Sequence, residues 1–162
     1  MTIHWCGTGL SAVPGLRRLI AAGYPVTVWN RTVKKAQDAV GDVATDIRAF
    51  DMEAVAVALQ PGDVVVSMLP GDWHVPLAKA CLAAGAQFVS SSYIAPEMRA
   101  LDDAAREKGL AFVNEVGLDP GIDHLMAHQL VDEYKASAAF DPKNHLSFLS
   151  YCGGVPKIAN PF

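Results

Sequence analysis

Thr2-Ile3-His4-Trp5-Cys6-Gly7-Thr8-Gly9-Leu10-Ser11-Ala12 opens a chain of 162 residues, and the order of residue types in it decides the fold. A short apolar run leads into Gly-x-Gly-x-x-Ala. Apolar residues at helical spacing follow: Leu10, Val13, Leu16, Leu19 and Ile20. Strand, glycine turn and helix in that order form the fingerprint of a dinucleotide-binding βα unit. Gly7 permits the tight turn, Gly9 lets the backbone approach a pyrophosphate, and Ala12 stays small so that helix and strand pack closely. The opening of the helix, with Leu10 and Ser11, offers unpaired N–H groups and the positive end of a dipole to phosphates.

Working outward, one unit recurs. A helix-like stretch ends in Gly, and a short β-rich run follows. Gly23 precedes residues 25–29, Gly41 precedes Val43-Ala44-Thr45, and Gly62 precedes residues 63–68. Gly85 precedes residues 87–90, and Gly109 precedes residues 110–113. Gly tolerates the left-handed residue that ends a helix. Runs this short and this rich in Val and Phe suit strands covered on both faces. The alternation predicts an α/β fold, a Rossmann-type doubly wound parallel sheet of about six strands with right-handed crossovers. Val75, Ala78, Cys81 and Leu82, and then Met98, Leu101 and Ala105, form further core-facing stripes.

The second strand bears on cofactor choice. It ends Val28-Trp29-Asn30-Arg31-Thr32, without the acidic residue that would bind a ribose 2′-hydroxyl. Arg31 can pair a 2′-phosphate in a fork, and Asn30 and Thr32 can donate hydrogen bonds, which favours NADP. The competing reading makes Arg31 a solvated residue and Thr32 the N-cap of the second helix. Ligands in such sheets lie beyond the carboxyl ends of the strands. That adds Met68 and Leu69, then Ser90 and Ser91, and then Leu118, Asp119 and Pro120 to the cofactor candidates. Each of these segments also reads as an ordinary βα loop.

After Asn114 the pattern changes. A turn at residues 117–121 leads into a helix from about Ile122 to Lys135. Asp119 before Pro120 reads as its N-cap, with Pro at the first helical position. A polar segment precedes a strand-like run from His145 to Cys152. We expect residues 1–118 to form the nucleotide-binding domain and 119–162 to be a connecting helix and the start of a second domain. A lone strand without a partner is not stable, so the expectation is that the chain continues beyond Phe162. The alternative is that this strand pairs with the main sheet or with a second copy of the chain, a homodimer or an aggregate.

Composition excludes several classes. A net charge of −4, with few basic residues clustered except Arg31, Lys34 and Lys35, argues against nucleic acid. Three cysteines without close spacing fit a reducing compartment, the cytoplasm by default, and suggest neither a disulfide framework nor a metal site. The N-terminus does not read as a signal peptide, and no apolar run reaches membrane-spanning length. His124 and His128 stand four apart on the predicted helix, but no acidic or cysteine cluster completes a metal site. His4 reads as a satisfied core residue and His74 as an exposed residue at a helix start, with an approach to the nicotinamide side as the alternative. No Tyr-x-x-x-Lys pair of the short-chain dehydrogenase kind occurs.

Three stretches carry a resemblance. Residues 91–98 read Ser-Ser-Tyr-Ile-Ala-Pro-Glu-Met, residues 114–124 read Asn-Glu-Val-Gly-Leu-Asp-Pro-Gly-Ile-Asp-His, and residues 150–156 read Ser-Tyr-Cys-Gly-Gly-Val-Pro. In order and spacing they resemble the glutamate-forming saccharopine dehydrogenase (saccharopine reductase) family, over nearly the whole chain. The resemblance implies an NADP-dependent oxidoreductase of lysine metabolism. Such an enzyme interconverts saccharopine with glutamate and aminoadipate semialdehyde through an imine. It also implies a small-molecule amino-acid substrate and a substrate domain inserted after the Asp-Pro turn. Tyr93, Asp119 and Cys152 become candidates for proton transfer, and Ser92, Tyr93 and Asp119 for substrate contact. Each has a plainer reading: a half-buried aromatic for Tyr93, a cap for Asp119, a small buried hydrophobe for Cys152. Relatives that make carboxyspermidine or oxidise lysine are the alternative substrates, and a nucleotide-binding module without turnover is the alternative class. The 162 residues alone are expected to be inactive.

Overall fold

The expected alternation of helices and short strands is realised over most of the chain. The structure is a computed structural model and describes residues 1–44, 46–151 and 153. The elements are β1 (Ile3–Cys6), α1 (Val13–Ala21), β2 (Val26–Asn30), α2 (Val33–Val40), β3 (Asp46–Ala49), α3 (Met52–Ala58) and β4 (Val64–Ser67). A 3-10 turn (Gly71–Trp73) leads into α4 (His74–Ala84). Then come β5 (Gln87–Ser90), α5 (Pro96–Arg99), α6 (Asp102–Glu107), β6 (Phe112–Val113) and α7 (Ile122–Ala136). All six strands are parallel, in the order β3-β2-β1-β4-β5-β6. The order reverses between β1 and β4, and this is where such sheets open a crevice for a ligand.

The core lies on both faces of the sheet. Cys6, Trp29, Val65 and Phe88 meet Val55, Leu77, Cys81 and Met98 beneath α3, α4 and α5. Trp5 and Val28 meet Leu16, Ala36 and Val40 beneath α1 and α2. Each large side chain buried in this way contributes about 1.5–3 kcal/mol. All four residues of β1 are buried, as a central strand covered on both faces requires.

Four expectations are corrected. The third strand is Asp46–Ala49, not Val43-Ala44-Thr45. Val43 and Ala44 spend their apolar surface in the turn after α2, against the second core cluster, while Thr45 lies outside the described residues. A polar strand is tolerated there because it is an edge. Asp46 accepts from the Thr27 hydroxyl at 2.9 Å and from Arg48, whose guanidinium lies 5.3 Å from the Trp29 ring. Gly41 ends α2 in the right-handed region, whereas Gly23, Gly85 and Gly109 are left-handed as expected. Leu10 is 98% exposed, because α1 begins only at Val13 and Leu10 belongs to the turn. Residues 145–151 form no strand, and Cys152, the last residue of the expected run, lies outside the described residues. Among the described residues no helix is long and apolar enough to cross a membrane.

Candidate functional site

The turn between β1 and α1 is held from three sides. Gly7 has φ +105°, and a Cβ there would stand 2.7 Å from the Met68 carbonyl oxygen, so β4 approaches too closely for any side chain. The Gly7 N–H donates to the Trp29 carbonyl at 2.8 Å, and the Trp5 indole donates to the Gly7 carbonyl at 2.9 Å. Asn30, one of the cofactor candidates, joins the end of β2 to this turn. Its Oδ1 accepts from the Thr8 N–H at 3.2 Å, and its Nδ2 donates to the Thr32 carbonyl at 2.8 Å.

Three features of the turn fit a diphosphate. The space where a Gly9 Cβ would stand is open, with nothing within 4 Å. Ala12 is buried against the sheet, as the fingerprint requires. The Ala12 and Val13 N–H groups fold back to the Gly9 carbonyl, while those of Gly9, Leu10 and Ser11 make no hydrogen bond among the described residues. Free N–H groups at a helix start bind anions. Thr8 is the residue that sequence reasoning missed: its hydroxyl is buried and has no partner among the described residues. Such a group costs about 1–3 kcal/mol, which a phosphate oxygen would relieve. The signal was present, since Thr8 lies between the two glycines, but a side chain at that position reads as solvent-facing.

The outer flank carries positive charge. Arg31 and Thr32 are exposed at the end of β2. Thr32 occupies the N-cap position of α2 without a side-chain capping bond, so its hydroxyl is not spent on the helix. Lys35 joins Thr8, Leu10 and Val13 around a cavity of about 370 Å³, whereas Lys34 pairs with Asp38.

On the other flank, a cavity of about 630 Å³ is lined by Ser11, Ala12, Met68, Ser90, Ser91, Leu118 and Asp119. Most of the strand-end candidates therefore converge on one space. Leu69 does not line it and leans on the core of the opposite face. Ser90 is buried, and its hydroxyl donates to Asn114 Oδ1 at 2.9 Å. The 117–121 turn closes the cavity. Its Gly121 has φ +145°, and a Cβ there would overlap the Gly117 carbonyl oxygen, so the second glycine of Gly-Leu-Asp-Pro-Gly is a backbone requirement. Pro120 is buried in this turn, after a cis Asp119–Pro120 bond. Asp119 does not cap α7: the N-cap position is Gly121, whose N–H donates to Asp123 at 2.8 Å. The Asp119 carboxylate instead accepts from the Tyr93 hydroxyl at 2.5 Å, which joins two of the three proton-transfer candidates. The third, Cys152, lies outside the described residues.

Behind Tyr93, a second cavity of about 390 Å³ is lined by Asp72, His74, Ser90, Ser92, Tyr93 and Asn114, among others. His74 was expected to be exposed and is 5% exposed, because the 3-10 turn before α4 rolls its side chain inward. Its ring lies between the Ser67 hydroxyl at 2.8 Å and the Ser92 hydroxyl at 2.7 Å. Burial pushes its pKa below the usual histidine value. His4 is the satisfied core residue expected. Trp29 Nε1 donates to its Nδ1 at 3.1 Å, which leaves Nε2 to carry the proton toward Asp63 at 3.2 Å. Among the described residues no group of three or more His, Cys, Asp or Glu side chains gathers to hold a metal.

Comparison with known proteins bears on this crevice directly. A family model described as the saccharopine dehydrogenase NADP binding domain matches residues 4–113, and one described as the saccharopine dehydrogenase C-terminal domain matches residues 117–162. The chain is 37% identical over 155 residues to the NADP(+), L-glutamate-forming saccharopine dehydrogenase of Saccharomyces cerevisiae, covering 93% of this chain and 34% of that one. It is 34% identical over 154 residues to the enzyme of the same name from Pyricularia oryzae, covering 93% and 33%. Among solved structures, the apo L-Glu-forming saccharopine dehydrogenase of S. cerevisiae superposes with a TM-score of 0.72 at 32% identity. That match covers 82% of this chain and 31% of the yeast one. The chain thus spans about one third of the length of the curated relatives it matches.

Proposed function

The chain belongs to the saccharopine dehydrogenase family, and on that premise we propose that it is the nucleotide-binding part of an NADP-dependent oxidoreductase acting on saccharopine or its imine precursor. The reaction interconverts saccharopine with glutamate and aminoadipate semialdehyde in lysine metabolism. The observation that carries this reading is the glycine turn at the strand-order reversal, with its buried, unpartnered Thr8 hydroxyl and the open space over Gly9. Residues 1–118 form the nucleotide domain, and 119–162 lead into the substrate domain. This division is supported by the sheet ending at β6 and by the absence of buried side chains on α7. Cytoplasmic residence is supported by the free buried thiols of Cys6 and Cys81.

Thr8, Gly9, Leu10 and Ser11 would hold the diphosphate, and Arg31 with Thr32 would meet the 2′-phosphate, with Lys35 adding charge. NADP, when bound, supplies the hydride acceptor or donor. Met68, Ser90, Ser91 and Leu118 line the cavity that would receive the reacting end of the nucleotide. Imine formation and reduction require a proton to come and go at nitrogen. The Tyr93 hydroxyl holds a proton and the Asp119 carboxylate can receive it, so this pair can exchange one with a substrate nitrogen at the cavity mouth. Ser92 stands beside them for substrate contact.

Isothermal titration of the chain tests the cofactor assignment. NADPH is expected to bind more tightly than NADH. Arg31→Ala is expected to weaken NADPH about 10- to 100-fold while leaving NADH nearly unchanged, the value of a charged phosphate contact. Tighter NADH binding, or equal losses for both nucleotides, would overturn it.

A further inference from the structure

His74 is a buried polar group for which the proposed chemistry has no direct use, yet its ring bridges two walls of the site. Ser67, at the end of β4, is fully buried. Ser92 stands two residues beyond β5 and immediately before Tyr93. The imidazole spans the gap between their hydroxyls at 2.8 and 2.7 Å. Its ring packs edge-on against the buried Phe88, with centroids 6.4 Å apart at 67°, so it cannot swing away without disturbing the core.

Tyr93 needs such a support. Its side chain is 63% exposed, and the segment from Ser91 to Ala95 that carries it lies in no strand. On the β6 side that segment is tied by Glu115 N–H to the Ser92 carbonyl and by Ile94 N–H to Glu115 Oε1, both at 3.2 Å. On the α4 side the tie is the shorter His74–Ser92 bond. A neutral imidazole has one donor and one acceptor, which two serine hydroxyls can match. An imidazolium would donate twice and leave the buried Ser67 proton without an acceptor among the described residues, and the burial that lowers the pKa of this ring acts in the same sense.

We propose that His74 is a positioning residue: through the Ser67–His74–Ser92 chain it holds the β5–α5 turn at the height that aims the Tyr93 hydroxyl at Asp119. The proposal rests on the reading of Tyr93 and Asp119 as the proton-exchanging pair. Removing the tie releases the turn that carries Tyr93.

Nuclear magnetic resonance of this chain tests it, with Tyr93→Phe to assign the ring signals. His74→Asn keeps an amide near the place of Nδ1 but is too short for Ser92. His74→Gln reaches Ser92. In the Asn variant the Tyr93 ring signals are expected to move to those of a free tyrosine, and Ile94 amide exchange to rise about tenfold or more. In the Gln variant both should return toward the unaltered values. Should the Asn variant fail to fold, Ser92→Ala, at a partly exposed position, is expected to give the same release of Tyr93. Equal effects of Asn and Gln, or unchanged Tyr93 signals in Ser92→Ala, would overturn the proposal. These spectra need no nucleotide. Failure of NADPH to bind the same sample would therefore count against the proposed function and not against the role of His74.

Discussion

The sheet region and the region of α7 differ in what holds them. Among the described residues the buried aliphatic, aromatic and cysteine side chains lie between Ile3 and Ala105, whereas α7 buries none of its fifteen residues. Ile122, Leu125, Met126 and Leu130 along α7 are exposed. The turn before α7 is nevertheless tightly made, with Pro120 buried and Gly117 bonded to Pro120 across it at 3.0 Å. The site draws on both regions. The glycine turn takes its rigidity from the core, and Asp119 reaches Tyr93 from a segment whose following helix contributes almost no burial. Stability and site assembly are thus carried by different parts of the chain.

Gly7→Ala should break this contrast most severely, because it combines a positive φ with a Cβ 2.7 Å from the Met68 carbonyl. We expect a loss of about 3–5 kcal/mol in urea unfolding. Gly9→Ala, in open space, should stay within about 1 kcal/mol of the parent and weaken only NADPH binding. Next comes a matched pair. Leu16→Ala in the core should cost about 2–5 kcal/mol, and Leu130→Ala on α7 under about 0.5. Equal costs would show that α7 is buried in solution and that the two regions do not differ. Thr8→Val sharpens the division between stability and binding. Replacing an unpartnered buried hydroxyl should leave stability unchanged or raise it by about 1 kcal/mol, while NADPH affinity falls. A stability loss would mean that the hydroxyl has a partner within the fold.

The smallest effect lies in the titration of two histidines. The His74 pKa is lowered by burial, and the His124 pKa is raised by the Asp123 carboxylate that accepts from it. His74 therefore contributes stability above its unfolded pKa near 6.5, and this is lost as pH falls below that value. His124, on α7, contributes below 6.5, and its share is lost as pH rises through its folded pKa. Proton resonances of the two rings should show His124 titrating above 6.5 and His74 below it. The reverse order would contradict the burial of His74.

Much of the sheet was legible because its signal is local. Gly7, Gly9 and Ala12 announce the first turn by spacing, and the runs at Val26–Asn30 and Val64–Ser67 announce strands by composition. The third strand escaped because an edge strand need not be apolar, so Asp46 and Arg48 gave no periodic signal, while Val43 and Ala44 gave a false one. His74 escaped because a residue at a helix start is normally exposed, and only the 3-10 turn rolls it inward. Asp119 before Pro120 carries the local signature of a cap. Its bond to Tyr93, 26 positions away, is invisible to local rules.

Local sequence sufficed for the alternation of elements, the glycine turn and the identity of the residues at the strand ends, since each follows from steric rules acting within a few residues. Packing settled that the Thr8 hydroxyl is buried without a partner among the described residues, that Asn30 ties the end of β2 to the glycine turn, and that His74 joins two walls of the site. Those outcomes depend on which strands become neighbours, and that choice is made by packing both faces of the sheet at once.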